Sequence, residues 1–245
     1  MSLLKNVALS ALIASCALFG SSSVLADNAS IPQLADNWNA TVEILVVTPN
    51  GMTKGSGSVL TSSGYILTAE HVIHGHTGLH VLVYEGRKVK HRLQAHVVAV
   101  DVINDLAVIK VLKHHFPVHV TLSSVDEIYL GLQVYNVGFP YSLGKRLGMG
   151  YLMQVHLHIP PGGQGDIMSD FIMIDIPDGP GTSGSGIFSQ EDGNLVGVMR
   201  LMQGFRGPLG SVELIRRATP VNKVIKLLKR AKIPYSTSNG FVRPN

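Results

Sequence analysis

Short apolar runs rich in β-branched residues, separated by Gly, Pro, Asn and Ser, fill most of this chain after residue 40. The runs lie at residues 41–47, 57–60, 65–67, 79–84, 89–100, 107–111, 133–137, 151–158, 171–176, 195–199 and 209–214. Many short strands with turn signals at close spacing are typical of an all-β sandwich or barrel. The helical patterns that would alternate with strands in a βαβ fold do not occur in this part of the sequence. The sequence therefore predicts an all-β protein.

Residues 219–229 depart from this pattern. Apolar residues recur there at the spacing of one helix face, at Val221, Val224, Ile225 and Leu228. Thr219 suits the N-cap and Pro220 the first helical position. We expect a C-terminal α-helix from about residue 219, packed on the last barrel. A basic helix lying on anionic lipid is the alternative, because lysines line its other faces.

The first 26 residues have the pattern of a signal peptide. Lys5 is followed by an apolar stretch at residues 6–20 and by small residues that end in a cleavage-like sequence at Ala26. The stretch is too short for a membrane span, so we expect no transmembrane segment in the mature chain. Residues 27–39 then form a mature N-terminal lead. Cys16 lies in a sequence similar to a lipoprotein box, and a lipid-anchored protein is the alternative.

Cysteine content and charge narrow the class of protein further. Cys16 is the single cysteine, so cleavage after Ala26 leaves a mature chain without disulfides, which favours a bacterial exported enzyme, periplasmic or extracellular. The length of residues 40–245 suits one domain. The formal charge of +4 comes without a clustered Lys/Arg patch, and no nucleic-acid partner is expected.

Three short segments place a histidine, an aspartate and a serine in that order along the chain. They are LTAEHV at residues 67–72, DVINDLAVIK at residues 101–110 and GTSGSG at residues 181–186. This order is that of the chymotrypsin arrangement, whereas subtilisin has Asp-His-Ser and the α/β-hydrolases have Ser-acid-His. Each segment alone is a weak signal, because Gly and Ser are common in turns. Together, in an all-β chain, they predict a serine protease.

Each of the three residues has a defined task in such an enzyme. Ser183 is the candidate nucleophile, and His71 is the candidate base that removes its proton. Asp105 precedes an apolar strand, where its carboxylate would orient the imidazole and stabilise the imidazolium. The backbone N–H groups of Gly181 and Ser183 are the candidate oxyanion hole.

These segments resemble the trypsin-like serine proteases, and most closely the bacterial HtrA/Deg type. The resemblance covers roughly residues 40–230, with matching blocks at residues 55–72, 101–110, 137–144 and 175–184. It implies two six-stranded antiparallel β-barrels with the triad in the cleft between them. It also implies endopeptidase activity on proteins or peptides through an acyl-enzyme, without a cofactor.

The chain departs from the HtrA pattern in several places. The PDZ domains that usually follow the protease are not found in this sequence, so neither their regulation nor an oligomeric state carries over. Ser185 and Gly186 replace the usual Gly-Pro, and Glu70 stands where the family often has Asn or Ala. A catalytically weak, peptide-binding protein with the protease fold is therefore the alternative.

Specificity and metal binding are less constrained by the sequence. Asp178 falls where HtrA-type proteases tend to have an aliphatic residue of the primary specificity pocket. A buried carboxylate there would favour a basic substrate side chain, and a solvated turn is the alternative. Three histidine pairs, at residues 74 and 76, 114 and 115, and 156 and 158, have plausible ligand spacing. They lack a surrounding Cys or carboxylate framework, so no metal is expected.

Overall fold

A computed structural model describes residues 31, 33–124, 127–157, 171–177, 179–206 and 212–244. The predicted signal peptide, Asp178 and His158 lie outside the described residues. No helix within the described ranges is long and apolar enough to cross a membrane.

Six antiparallel strands close into a first barrel in the order β1-β2-β3-β6-β5-β4. They are β1 (Thr41–Thr48), β2 (Gly51–Val59), β3 (Tyr65–Thr68), β4 (Gly78–Glu85), β5 (Lys88–Asp101) and β6 (Leu106–Val111). Branched aliphatic side chains point inward from these strands and are fully buried, among them Ile44, Ile66, Val81 and Ile109. Their burial supplies the apolar core that closes the barrel.

The later strands form a second barrel. They are β7 (Thr121–Leu122), β8 (Gln133–Gly138), β9 (Arg146–Leu157), β10 (Phe171–Ile174), β11 (Gly186–Ser189), β12 (Leu195–Arg206), β13 (Val212–Pro220), β14 (Tyr235–Thr237) and β15 (Gly240–Val242). Strands β11, β8, β9, β10, β13 and β12 follow one another, and pairing of β11 with β12 closes the ring. Strands β7, β14 and β15 extend outward from β12. The predicted all-β fold of two six-stranded barrels is confirmed.

Within the described ranges, three α-helices accompany the barrels: α1 (Leu34–Ala40), α2 (Glu70–Ile73) and α3 (Val221–Arg230). Helix α1 lies largely within residues 27–39, the segment predicted as the mature N-terminal lead. The C-terminal helix α3 is confirmed, and its apolar face is buried in the core that includes the first barrel. On that face Leu227 is buried, whereas Ile225, which was expected there, is only partly buried.

The predicted N-cap of α3 is wrong. The residue before the helix is Pro220, in an extended conformation, and no side chain caps the first turn. The Thr219 hydroxyl instead donates a hydrogen bond to the carbonyl oxygen of Asn104 at 2.7 Å. This contact ties the start of α3 to the turn that carries Asp105.

Candidate active site

His71 and Asp105 both lie on short segments that flank strands of the first barrel. His71 belongs to α2, the single helical turn that follows β3 after Ala69. Asp105 ends the turn between β5 and β6 and has a positive φ of 51°. A left-handed conformation is uncommon for residues other than glycine, although Asp tolerates it better than most. The turn thereby directs Asp105 back toward α2.

The carboxylate of Asp105 holds His71 through two hydrogen bonds. The backbone N–H of His71 donates to Oδ1 at 2.8 Å, and the Nδ1 atom of its ring lies 2.8 Å from Oδ2. Asp105 is 6% exposed, whereas 39% of the His71 side chain is accessible. An ionised carboxylate only accepts hydrogen bonds, so Nδ1 carries the proton and Nε2 is left as an acceptor. This is the tautomer that a general base requires.

Ser183 lies on the loop that leads into β11 in the second barrel. Three N–H groups of this loop are engaged, because Thr182, Gly184 and Ser185 donate to carbonyl oxygens at 2.8–3.1 Å. The N–H groups of Gly181 and Ser183 donate to no acceptor within the described part of the chain. Two unengaged N–H groups separated by one residue are the donors that an oxyanion hole needs.

Gly181 is held in place by contacts from both barrels. It has a φ of +103°, and a Cβ atom built on it would lie 2.3 Å from the carbonyl oxygen of Phe139. The Ser56 hydroxyl, on β2, donates to the Gly181 carbonyl at 2.7 Å and accepts from the Phe139 N–H at 3.1 Å. The backbone N–H of Ser56 also donates to the Ser183 carbonyl at 2.8 Å. Only glycine fits this position, and Ser56 fixes the loop around it.

The Ser183 hydroxyl donates to the backbone carbonyl of Arg200, on β12, at 3.3 Å. No hydrogen bond between Ser183 Oγ and His71 occurs among the described residues. The Arg200 side chain reaches the other half of the site, because its Nε lies 3.2 Å from Asp105 Oδ2. The structure therefore joins His71 directly to Asp105, and it joins Ser183 to them through Arg200.

Arg200 is a residue that sequence reasoning did not single out. Its side chain is 12% exposed, and its guanidinium lies 4.5 Å from the centre of the Phe171 ring. A second arginine, Arg217 on β13, is 1% exposed and lies 5.0 Å from the same ring. A charged residue inside an otherwise apolar strand was the available signal, since such residues are rarely buried without a partner.

Of the remaining sequence candidates, those whose side chains the structure describes are not brought into this site. Glu70 accepts from the ring of His74 at 2.8 Å, and this hydrogen bond raises the pKa of His74. Asp178 and His158 lie outside the described residues, and for His156 only the backbone is described. Within the described ranges, no cluster of three or more His, Cys, Asp or Glu side chains has an arrangement suited to a metal ion.

Comparison with known proteins places this geometry in a family. Residues 55–198 match the trypsin-like peptidase domain. A probable periplasmic serine endoprotease, DegP-like, from Halomonas elongata is 31% identical over 189 residues, which are 77% of this chain and 37% of the relative. The crystal structure of the serine endoprotease from Yersinia pestis aligns with a TM-score of 0.62 and 26% identity, covering 79% of this chain and 63% of that one. The HtrA-type protease AlgW with tripeptide aligns with a TM-score of 0.65 and 25% identity, covering 80% and 62%.

This chain therefore belongs to the trypsin-like peptidase domain family, and its domain is of the HtrA type. It spans 37% of the length of the Halomonas relative.

Proposed function

We propose that this protein is an exported serine endopeptidase that hydrolyses peptide bonds in proteins through an acyl-enzyme. Ser183 is the nucleophile, His71 the general base and Asp105 the residue that orients His71. The observation that carries the proposal is the pair of 2.8 Å contacts from Asp105 to the backbone and ring of His71. Membership of the trypsin-like peptidase family supports it.

The reaction begins when the Ser183 hydroxyl leaves the Arg200 carbonyl and turns toward Nε2 of His71. Oγ attacks the carbonyl carbon of the substrate while Nε2 accepts its proton, and Asp105 stabilises the imidazolium that forms. The substrate carbonyl oxygen becomes an oxyanion that accepts hydrogen bonds from the N–H groups of Gly181 and Ser183. His71 then protonates the leaving amine. Water, deprotonated by His71, then attacks the acyl-enzyme, the ester bond to Ser183 Oγ breaks, and His71 returns the proton to Oγ as the acid is released.

Export belongs to the same proposal. The signal-peptide pattern of residues 1–26 supports it. The word "periplasmic" in the name of the Halomonas relative also supports it. Cleavage after Ala26 would leave residues 27–39 as the start of the mature protein. Preference for Lys or Arg before the cleaved bond, inferred from Asp178, stays a prediction.

A covalent probe tests the catalytic proposal. Mature protein should react with a fluorophosphonate and digest an unfolded protein substrate, and Ser183→Ala should abolish both. Ser185→Ala is the matched control, because Ser185 lies on the same loop but its Oγ contacts Asn136 at 3.4 Å. Equal labelling of wild type and Ser183→Ala would refute the assignment of the nucleophile.

A second candidate function is peptide binding without efficient turnover. Two observations favour it: the Ser183 hydroxyl is bonded to the Arg200 carbonyl, and the Arg200 side chain contacts Asp105. A peptide that binds Ser183→Ala and wild type alike, while wild type neither cleaves it nor reacts with the fluorophosphonate, would establish this function instead.

A further inference from the structure

A cavity of about 940 Å³ lies outside the candidate active site. It is enclosed by α1, by the hairpin between β4 and β5, and by the segment that leads into β9. The three residues proposed for catalysis are not part of its lining. We call it the basic cavity, for its lining residues Arg87, Lys145 and Arg146, which stand beside the aromatic residues Trp38, Tyr84 and Phe139.

Among the residues that the structure describes, the basic cavity is lined by cations without a matching anion. None of its described lining residues is Asp or Glu. The lining residue Tyr84 contacts one buried carboxylate, Glu43, which accepts from the Tyr84 hydroxyl at 2.5 Å and is paired with Lys54 Nζ at 3.1 Å. In the described part of the chain, none of the three cations of the cavity forms an ion pair. The cavity is therefore complementary to an anion.

Lys145 is the cation most enclosed by the cavity. Its Nζ donates to the carbonyl oxygen of Trp38 and lies 5.5 Å from the Trp38 ring centre and 5.6 Å from that of Phe139. Burial lowers the pKa of Lys145 to about 8. A half-buried cation without a carboxylate is costly, and an anion bound beside it would offset that cost.

We propose that the basic cavity is a ligand site for a small organic anion, in which a carboxylate or phosphate group is attached to a flat apolar body. The cations would bind the charged group through charge-assisted hydrogen bonds. The rings of Trp38, Tyr84 and Phe139 would contact the apolar body, as in most small-molecule sites.

Phe139, which lines the basic cavity, also contacts the candidate oxyanion loop, the loop that carries Gly181 and Ser183. Its carbonyl oxygen lies so close to Gly181 that a Cβ atom at that position would clash with it. Two residues further along, the Tyr141 N–H donates to the Pro180 carbonyl at 2.6 Å. A ligand that moves Phe139 would therefore shift Gly181, and the rate of the reaction at Ser183 would respond. This coupling, unlike binding itself, rests on the proposed function.

Trp38 makes binding measurable without enzymatic activity, because it is the single tryptophan of the sequence and it lines the cavity. We would titrate the full chain carrying Ser183→Ala with phenyl phosphate and, separately, phenylacetate, and follow tryptophan fluorescence. Benzyl alcohol and benzylamine are the neutral and cationic probes of similar size. The two anions distinguish a phosphate ligand from a carboxylate ligand.

The expected result is a saturable fluorescence change with at least one anion and a much weaker one with the alcohol and the amine. Lys145→Met and, independently, Arg146→Gln should each weaken anion binding by about tenfold, the value of one charge-assisted contact. Arg230→Gln, which removes an exposed cation that contacts Asp101 and does not line the cavity, should leave binding unchanged. Equal responses to all four probes, no saturation, or anion binding unaffected by both cavity variants would overturn the site.

The coupling has its own measurement. Saturating anion should change the rate of fluorophosphonate labelling of the wild-type protein by about threefold or more, and should do so less in Lys145→Met. Binding with an unchanged labelling rate would overturn the coupling. A fluorescence response with no labelling at all would instead refute the proposed function while supporting the ligand site.

Discussion

Arg200→Met should accelerate the reaction. Arg200 places a permanent cation on the same Asp105 oxygen that accepts the His71 hydrogen bond. When Ser183 attacks the substrate, His71 becomes an imidazolium, and the charge of Arg200 then opposes the charge that Asp105 has to stabilise. Methionine keeps the apolar stem that packs near Phe171 and removes the charge.

The size of this effect follows from two distances. Arg200 Nε lies 3.2 Å from Asp105 Oδ2, and His71 Nδ1 lies 2.8 Å from the same oxygen. The two nitrogens are therefore no more than about 6 Å apart, and unit charges at that separation repel by about 3 kcal/mol at an effective dielectric constant of about 20. Because the His71 side chain is 39% exposed, solvent screens the repulsion to about 1–2 kcal/mol. We expect kcat to rise about tenfold.

The same substitution should lower stability. Asp105 remains buried and keeps both hydrogen bonds from His71, but it loses its contact with a buried cation. Removing one member of a partly buried pair typically costs about 1–3 kcal/mol in the free energy of unfolding. Unfolding in urea should show this loss of stability. The kinetics should therefore be measured at a temperature at which the variant is still fully folded.

The assay is hydrolysis of a quenched peptide substrate, with active enzyme counted by fluorophosphonate titration. Arg200→Lys keeps the cation and should retain the wild-type kcat. Arg230→Gln removes an exposed cation that lies 3.7 Å from Asp101 and should also leave kcat unchanged. A kcat for Arg200→Met equal to or below that of wild type would show that Arg200 acts by positioning Asp105, and would refute the electrostatic reasoning.

Two further substitutions have expected outcomes. Gly181→Ala should slow fluorophosphonate labelling by about 100-fold, because its Cβ would meet the Phe139 carbonyl at 2.3 Å and displace one oxyanion donor; Gly131→Ala, also at positive φ but with open space around it, should label normally. Lys145→Met should raise the free energy of unfolding by about 2 kcal/mol at pH 7, because it removes a charge whose burial lowers the Lys145 pKa from 10.5 to about 8. The gain is smaller than that pKa shift implies, because the contacts of the ammonium group with neighbouring rings are lost. Wild-type stability should rise between pH 8 and 10.5, where only the unfolded chain binds this proton, so urea unfolding should show the advantage of the variant disappearing over that range.

The fold could be predicted from the sequence because its signals are local. Most strands of the first barrel contain an apolar run bounded by turn residues, whereas β2 is rich in Gly and Ser and only its last residues were predicted. His71 and Asp105 could also be predicted, since each adjoins a strand that is easily recognised in the sequence. The contacts of Arg200 could not, because they join β12 of the second barrel to a turn of the first.

Thr219 shows how a local rule fails. Thr followed by Pro before an apolar helical pattern is a common helix start, and α3 does begin immediately after Pro220. The Thr219 hydroxyl nevertheless bonds to the Asn104 carbonyl, across the interface between the helix and the Asp105 turn. A tertiary acceptor has replaced the local one, and no periodicity in the sequence indicates which acceptor is used.

The candidate oxyanion loop is the strongest case of a site whose geometry no single motif determines. Ser56 holds the loop from the first barrel, and Phe139 restricts Gly181 from the segment after β8. Met199, on β12, accepts the N–H of Gly184 on the other side of the nucleophile. The orientation of the Gly181 and Ser183 N–H groups is thus a property of both barrels together, because moving any of the three supports moves the loop. A serine between glycines is thus only one part of the pattern that indicates the family, and we expect the efficiency of the enzyme to depend also on contacts outside the motif, such as Ser56 to Gly181 and Arg200 to Asp105.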